Sequence, residues 1–311
     1  MAAMPDPSRW FIVVNPVSGG GRARRRWPQL AAALTRRGIA HESVTTSSAG
    51  HANRLVQDAA RRGHRRLLAV GGDGTFNELV NGLLQQPEVP LDHFLASVAP
   101  LGTGNDWARA MQVPDDPDEL AAAMARGLGR RVDLGIAEAG GTTLRLAFHN
   151  VAGAGLDAEV LRHTPGSGPR ILAYLLGLAR TLGRYRAPQF ELTADGVTRT
   201  GRFWIALAAV GPYCGGGMRL APDARLDDGY LDLVTIEPMP LIRAITRLPR
   251  LFDGRLAGDP AVRTLRCRSV TIRSDPPCGV ELDGQSCGTT PVTLGLMPAA
   301  LIVLDCRRLP E

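Results

Sequence analysis

The feature that most constrains the fold is an apolar run that leads directly into a cluster of glycines. Leu67 to Val70 are apolar, and Gly71-Gly72-Asp73-Gly74 follow at once. A helical pattern then begins, and its apolar face consists of Phe76, Leu79, Val80 and Leu83. The stretch therefore predicts a buried strand, a tight turn and a helix.

Glycines at such a turn let an anion come close to the backbone, and the N–H groups of the new helix point toward it. Asp73 lies inside the turn, where its carboxylate would repel a bare phosphate. A cation or a proton-transfer role must therefore accompany this residue. An ordinary strand-to-helix turn is the alternative interpretation of the motif taken alone.

Two further glycine-rich turns follow strand-like runs. Trp10 to Val14 lead into Asn15-Pro16-Val17-Ser18-Gly19, and Phe94 to Ala99 lead into a turn at 100–106. Strands that alternate with helices in this half indicate a parallel α/β sheet. The carboxyl ends of such strands form the ligand crevice of open sheets. Three such turns at one edge therefore predict a phosphate site.

The pattern changes after residue 131. Strand-like segments separated by Asp-Gly turns indicate a mainly antiparallel β domain with one or two helices, one of them at 170–182. We expect an α/β domain over 8–130 and a β-rich domain over 131–300. Residues 301–311 form a C-terminal strand whose return to the first domain the sequence leaves open. Expected boundaries include a helix over 22–37 and strands over 38–46, 143–151 and 202–210.

The charge favours acidic partners. The formal net charge is +6, and all 36 cationic side chains are arginine, which excludes a catalytic or phosphate-binding lysine. Nucleotide phosphates and an anionic membrane surface fit this charge. Nucleic acid is disfavoured because the arginines are dispersed and aromatic residues make up only 5%.

The cysteine pattern and the apolar runs indicate where in the cell the protein works. The five cysteines form no C-x-x-C pair, which is typical of free thiols in a reducing cytoplasm. No apolar run reaches the length of about 18 residues that spans a bilayer. We therefore expect a cytoplasmic protein whose membrane contact is peripheral, and a homodimer is one assembly left open.

At this point the chain resembles the diacylglycerol kinase catalytic domain superfamily, and within it the soluble bacterial lipid kinases related to sphingosine and ceramide kinases. The resemblance covers nearly the whole chain. Its motifs are NPVSG at 15–19, GGDGTFNE at 71–78, LGTGND at 101–106, LDDGYLD at 226–232 and DGQ at 283–285. It implies an NAD kinase- or phosphofructokinase-like α/β domain followed by a β-sandwich domain.

The resemblance also implies ATP- and Mg²⁺-dependent phosphorylation of a lipid hydroxyl. The residues that would contact ATP are Asn15, Pro16, Val17, Ser18, Gly19, Thr46, Gly71, Gly72, Asp73, Gly74, Thr75, Phe76, Asn77 and Thr103. Asp73 is expected to be the central carboxylate, which orients Mg²⁺ or accepts the proton of the hydroxyl. A structural Mg²⁺ would be held by Asp228 and the backbone carbonyls of Arg225 and Tyr230, although Asp228 also suits a simple Asp-Gly turn.

One departure from the family pattern concerns the proton acceptor. The bacterial family usually has glutamate after Asp-Gly in the last motif, whereas this chain has Gln285. An amide cannot act as a general base at neutral pH, but it can position a hydroxyl by hydrogen bonding. Asp73, Glu281 or Asp283 would then carry the proton, or activity is weak or lost.

The acceptor lipid is the part of the function about which the sequence says least. The apolar run 148–156 and the helix at 170–182 would line an acyl cleft, with ordinary core as the alternative. Arginines that would meet anionic head groups, with an ordinary solvated face as the alternative, are Arg162, Arg170, Arg180, Arg184 and Arg186. Two other functions stay open, an NAD kinase-like enzyme and a nucleotide-binding regulatory protein that has lost catalysis.

Overall fold

The computed structural model describes residues 8–139, 145–163 and 185–307. The chain divides into two units, one made of Met1–Val132 with Ala299–Glu311 and the other of Asp133–Pro298. The predicted helix at 170–182 lies outside the described residues, as do Arg170, Arg180, Arg184 and the side chain of Arg162. Within the described ranges, no helix combines the length and apolar character needed to cross a bilayer.

The first unit is an α/β domain built on a parallel sheet. Its elements are β1 (Trp10–Val14), α1 (Ser18–Arg36), β2 (His41–Thr45), α2 (His51–Arg61), β3 (Arg66–Gly71), α3 (Asp73–Gln85), β4 (Leu95–Pro100), α4 (Asp106–Ala110) and α5 (Pro117–Arg126), with a 3-10 turn at Leu91–His93. The parallel order is β2-β1-β3-β4. Because β1 is buried along its whole length, its continuous apolar run fits a strand covered on both faces.

The apolar face predicted for α3 is confirmed, since Phe76, Leu79, Val80 and Leu83 are all buried. A Cβ atom on Gly82 would lie 2.6 Å from the Asn53 carbonyl oxygen, so glycine permits the close contact of α3 with α2. The strand expected over 38–46 is shorter, because Gly38 takes a left-handed φ of +66° at the end of α1.

The second unit consists mainly of antiparallel strands. Its elements, two of which continue into the first unit, are β5 (Gly129–Ala139), β6 (Arg145–Phe148), β7 (Val151–Gly155), α6 (Leu156–His163), β8 (Gln189–Ala194), β9 (Val197–Arg202), β10 (Ile205–Ala209), β11 (Leu231–Ile236), α7 (Leu241–Arg247), α8 (Arg250–Asp253), β12 (Val262–Cys267), β13 (Ser269–Asp275), β14 (Gly279–Leu282), β15 (Gln285–Thr289) and β16 (Val292–Leu304), with a 3-10 turn at Arg255–Gly258.

Two sets of antiparallel strands form this unit. One sheet has the order β12-β11-β10-β7-β14-β15, and in the other set β8 pairs with β9 and with β13. The first residues of β16 pair with β13, whereas Ile302 and Val303 pair in parallel with β4 of the first unit. The predicted fold class, a parallel α/β domain followed by a mainly antiparallel β domain, is confirmed.

The strand predicted over 143–151 is divided in two. β6 ends at Phe148 and β7 begins at Val151, because the backbone N–H groups between them turn toward the Asp283 carboxylate. The strand predicted over 202–210 is likewise shorter, since β10 begins at Ile205. Helix α7 was not predicted.

Candidate functional site

The three glycine-rich turns of the first unit lie at one edge of its sheet. β1, β3 and β4 are parallel neighbours, with Val14 opposite Val70 and Gly71 opposite Pro100. The segments that follow these strands therefore leave the sheet at the same edge. We call them the first, second and third loops, at 15–21, 71–75 and 101–105.

Glycines bring the loops into backbone contact. A Cβ atom on Gly19 would lie 2.3 Å from the Leu101 carbonyl oxygen. A Cβ on Gly72 would lie 2.8 Å from the Gly102 Cα atom, and one on Gly102 would lie 2.4 Å from the Gly72 Cα atom. Real Cβ atoms do not approach backbone this closely, so larger residues would force the loops apart.

Side chains also tie the loops together. The Asn15 Nδ2 atom donates to Thr75 Oγ1 at 3.0 Å, and the Asn15 Oδ1 atom accepts from the Val17 N–H at 3.3 Å. The Arg22 Nη1 atom donates to the Gly102 carbonyl at 3.3 Å. The first loop is thereby joined to the second, and helix α1, which follows the first loop, is joined to the third.

The start of α1 differs from an ordinary helix. Gly19, Gly20 and Gly21 have φ values of +59°, +64° and +80°, a left-handed run that other residues rarely adopt. A Cβ on Gly20 would meet nothing within 4 Å, so the backbone there faces open space. The Arg25 guanidinium donates to the Gly20 carbonyl at 3.2 Å and adds positive charge beside this run.

Asp73 is half-buried at the start of α3. Its Oδ1 atom accepts the Trp107 backbone N–H at 3.0 Å, which satisfies a donor in the first turn of α4. The carboxylate therefore links the second loop to the helix that follows the third. This contact uses the Oδ1 atom of the carboxylate.

The other residues expected at the nucleotide differ in exposure. Val17 is 76% exposed, and Thr103 is also exposed, while Thr46 is half-buried beside the end of β1. Thr75 and Asn77 are buried, and the Asn77 Oδ1 atom accepts from Asn81. The Phe76 ring is buried and stacks on Trp107 at 4.1 Å between centroids. A nucleotide contact at Phe76 would thus involve its backbone.

Sequence reasoning assigned no role to Glu78, a residue of α3 whose carboxylate caps the N-terminus of α2. Its Oε1 and Oε2 atoms accept the Gly50 and Ala52 backbone N–H groups at 2.9 and 3.1 Å. A carboxylate at a helix N-terminus stabilises both the unpaired donors and the positive end of the helix dipole. No sequence signal connects residues 28 positions apart in this way.

In the second unit, Asp283 organises the turn that carries Gln285. Its side chain is fully buried and accepts the backbone N–H groups of His149, Asn150 and Val151 at 2.9–3.0 Å. It also pairs with His149 Nδ1 at 2.8 Å. Although burial alone would raise it, the His149 ring and these donors hold the pKa of Asp283 below its ordinary value. Gln285 follows this turn and is exposed.

Two buried carboxylates lie behind the same turn. Glu281 is opposite Gly153 in the β14–β7 ladder, and a Cβ on Gly153 would lie 2.6 Å from Asp157 Oδ2. The two acids therefore share one face of the sheet. Burial raises the pKa of Asp157 to about 6, and burial together with the Asp157 charge raises the pKa of Glu281 well above its ordinary value. The Gly284 N–H donates to Glu281 at 2.6 Å.

We predict that Asp157→Asn stabilises the protein at neutral pH. Between about pH 4 and pH 6 the unfolded chain releases the Asp157 proton while the folded chain retains it, so stability falls as pH rises. Removing the group should raise the free energy of unfolding at pH 7.5 by up to about 3 kcal/mol and flatten its pH dependence. Urea unfolding across this pH range measures both effects.

The matched control for that experiment is Asp227→Asn, which changes an exposed carboxylate of the same unit. We expect the control to leave the free energy of unfolding at pH 7.5, and its dependence on pH, as in the unmodified chain. A loss of stability in Asp157→Asn at pH 7.5 would contradict the prediction, since it would mean that the charged form is favourably partnered.

Asp228, the side chain predicted to hold a structural metal together with the Arg225 and Tyr230 carbonyls, makes two contacts within the second unit. Asp228 Oδ1 accepts the Tyr230 N–H at 3.1 Å, and Oδ2 pairs with the Arg266 guanidinium, which lies 4.4 Å from the centre of the Tyr230 ring. Arg225 is exposed. Among the described residues, no group of three or more His, Cys, Asp or Glu side chains is arranged to hold a metal. A cation at Asp228 would have to displace Arg266.

An apolar cavity occupies the second unit beside β10 and α7. Its lining is provided by Leu156, Trp204, Met218, Leu220, Met239 and Leu251, together with Ala244, Arg247 and Leu248. Leu156 ends the apolar run predicted to line an acyl cleft, while the rest of that run forms the end of β6 and buried β7. Arg186 is exposed.

Two known protein families match the chain. The "Diacylglycerol kinase catalytic domain" family matches residues 9–137, and the "YegS C-terminal NAD kinase beta sandwich-like domain" matches residues 150–305. The resemblance seen in the motifs is thus confirmed over nearly the whole chain.

Individual relatives agree with the family matches. A diacylglycerol kinase of Bacillus subtilis (strain 168) is 30% identical over 285 residues, which cover 90% of each chain. A diacylglycerol kinase of Staphylococcus aureus (strain MRSA252) is 28% identical over 90% of this chain and 87% of its own. The crystal structure of a diacylglycerol kinase from Bacillus anthracis str. Sterne has a TM-score of 0.73 at 21% identity, covers 96% of this chain and 97% of its own, and so supports the fold.

Proposed function

Since the chain belongs to the diacylglycerol kinase family, we propose that it transfers the γ-phosphoryl group of ATP to the hydroxyl group of diacylglycerol or a related lipid. The observation that carries the proposal is the meeting of three glycine loops at one sheet edge, with Asp73 among them. Relatives named diacylglycerol kinase support a kinase acting on lipid.

The hydrogen-bond donors at these loops suit the binding of a polyphosphate. Gly19 and Gly20 of the left-handed run and Gly74 in the first turn of α3 place backbone without side chains at these loops, while the N–H groups of Gly21, Thr75 and Phe76 donate within their own turns. Arg22 and Arg25 provide the positive charge that a lysine supplies in many phosphate sites. Phosphoryl transfer depends mainly on positioning and on stabilising charge, and this arrangement serves both.

We assign to Asp73 one of two roles, to bind Mg²⁺ or to accept the proton of the lipid hydroxyl. Its contact with the Trp107 N–H holds the carboxylate in one orientation, so that Oδ2 keeps a fixed position among the loops. Mg²⁺ held there would neutralise negative charge on the phosphoryl oxygens. The placement of this carboxylate among the loops is therefore the property on which its proposed role depends.

We assign the lipid to the second unit. The cavity lined by Leu156, Trp204 and Met239 is apolar and has a volume of about 70 Å³, so we assign to it the end of an acyl chain. Contact with an anionic membrane would be peripheral. Gln285 would hydrogen-bond the acceptor hydroxyl from the turn that Asp283 holds in place. For Asp228 the observed contacts do not favour a metal, because Arg266 already neutralises its charge, and we derive no step through that site.

Gln285 also supports a second candidate function, a nucleotide-binding regulatory protein with weak or lost catalysis. The amide removes the usual general base while leaving the three loops intact. Under this alternative the protein binds ATP at the same loops and transfers no phosphoryl group.

A radiolabelled ATP assay with Mg²⁺ separates these functions. We expect label in the phosphatidic acid spot when diacylglycerol is supplied in detergent micelles, and none on NAD in a parallel reaction. Label on NAD would establish an NAD kinase-like enzyme. ATP binding measured by calorimetry without transfer to any extracted membrane lipid would support the regulatory function and overturn the kinase proposal.

A further inference from the structure

Both oxygens of the Asp228 carboxylate have partners within the second unit. Oδ1 accepts the Tyr230 N–H at 3.1 Å, and Oδ2 pairs with the Arg266 guanidinium. Mg²⁺ is held through oxygen ligands in a near-ideal octahedral arrangement. A guanidinium and a Mg²⁺ ion cannot share Oδ2, because both are cations that need close contact with the same oxygen. The carboxylate expected to hold a structural metal therefore already has a cation bound to it.

The turn that carries Asp228 is shaped by the chain itself. Asp133 Oδ2 accepts the Gly229 N–H at 2.7 Å, and the Asp133 N–H donates to the Leu226 carbonyl at 2.7 Å. Asp133 is buried, and Gly229 adopts a left-handed φ of +76°, which few other residues would tolerate in this turn. Hydrogen bonds to a buried residue thus give the turn its conformation.

Strand register and an aromatic ring hold Arg266 at this turn. In the β11–β12 ladder Arg266 lies opposite Asp232, so the two side chains share a face of the sheet. The guanidinium carbon of Arg266 lies 4.4 Å from the centre of the Tyr230 ring, and that of Arg268 lies 5.4 Å from the same centre. A cation within about 6 Å of an aromatic ring is attracted to its face. Arg266 is therefore held in one place by the turn and by the neighbouring strand.

The charge of Arg266 acts on more than one carboxylate. Asp232 is buried, and Asp223 and Asp228 act on it as like charges. A buried carboxylate with acidic neighbours needs a nearby cation. Arg266 acts on Asp232 as the opposite charge and pairs with Asp228. One guanidinium thus offsets the charge of carboxylates from two segments, which is what a structural metal ion does.

We propose that the Arg266 guanidinium takes the structural role of a bound cation at Asp228, so that the second unit keeps its fold without a metal ion. The family resemblance predicts the opposite, a Mg²⁺ ion held by Asp228 with the Arg225 and Tyr230 carbonyls. The inference goes beyond the proposed function, since it needs neither nucleotide nor lipid. If both hold, Mg²⁺ serves this protein only at the nucleotide loops.

The test is thermal unfolding in the absence of nucleotide, with either EDTA or excess MgCl₂ in the buffer. We expect the unmodified chain to melt at the same temperature in both. In EDTA, Arg266→Gln should melt about 2–4 °C lower, because an exposed ion pair and a cation–π contact each contribute little. Excess MgCl₂ should recover most of that loss, because the substitution leaves Asp228 open to a metal ion.

Arg263→Gln is the matched control, because Arg263 is an exposed arginine of the same strand that pairs with Glu237 at 3.6 Å. It should melt at the same temperature in EDTA and in MgCl₂. Arg266→Lys, which retains the positive charge, should also be insensitive to MgCl₂. In the double variant Arg266→Gln with Asp228→Asn, the recovery by MgCl₂ should disappear. The Arg266 side chain is 53% exposed, so circular dichroism should show every variant folded.

Two results would overturn the proposal. A fall in the melting temperature of the unmodified chain in EDTA would show that a metal ion contributes to its fold. Failure of MgCl₂ to stabilise Arg266→Gln would show that Arg266 forms an ordinary ion pair and does not stand in for a metal. Neither result depends on catalysis. A protein that transfers no phosphoryl group but melts as expected would uphold the inference and reject the proposed function.

Discussion

Replacing Gln285 with glutamate is expected to raise the rate of lipid phosphorylation by about 10²–10⁴-fold, the usual contribution of a general base. The amide can hydrogen-bond a hydroxyl but cannot take its proton at neutral pH. The backbone that carries position 285 is held by the Asp283 carboxylate and by the Gly284 contact with Glu281. A glutamate there would therefore occupy a defined position.

The comparison is made by single-turnover and steady-state assays with micellar diacylglycerol. Thr289→Glu is the matched control, because it adds the same charge to the same strand at an exposed position, opposite Gly279. Only the change at position 285 should raise kcat. If Gln285→Glu leaves kcat unchanged, the proton acceptor lies elsewhere, and Asp73 becomes its main candidate.

The second large effect is expected from Asp73→Asn, which should lower kcat by about 10²–10⁴-fold with little loss of stability. Asparagine keeps an oxygen that can accept the Trp107 N–H, and asparagine serves as well as aspartate at helix N-termini. What the substitution removes is the negative charge needed to hold Mg²⁺ or to receive a proton. Activity assays and thermal unfolding together measure the two expectations.

Asp116→Asn provides the control for Asp73. Asp116 caps α5 by accepting the Asp118 and Glu119 N–H groups at 2.9 and 3.0 Å, so the same chemical change is made at a purely structural cap. We expect Asp116→Asn to leave kcat unchanged. Full activity in Asp73→Asn would show that Asp73 only links the loops, and the proposed mechanism would lose its central residue.

The parts of the fold that local pattern determines were predicted well. Leu67 to Val70 and the face of α3 follow from runs and spacings within a few residues, and all of these side chains are buried as predicted. The common edge for the three loops follows from the rules of parallel sheets. That the loops touch at Gly19, Gly72 and Gly102 depends on packing across more than eighty residues, which no local pattern contains.

Other features escaped prediction for identifiable physical reasons. Helix α7 lies between Pro240 and Pro249 and is seven residues long, too short for a clear helical period. Its exposed Leu and Ile side chains also contradict the usual amphipathic pattern, in which the outer face is polar. The capping of α2 by Glu78 and the cross-loop contact of Arg22 are side-chain to backbone interactions between distant segments, so spacing along the chain does not reveal them.

The path of β16 has a consequence for how the protein is made. Leu301, Val303 and Leu304 are buried in the first unit, where the end of this strand pairs with β4. These residues are synthesised only after the whole second unit. The first unit can therefore complete its sheet only after the second unit has been synthesised, and a nascent chain that stops before β16 should expose an unpaired edge at β4 to chaperones and proteases.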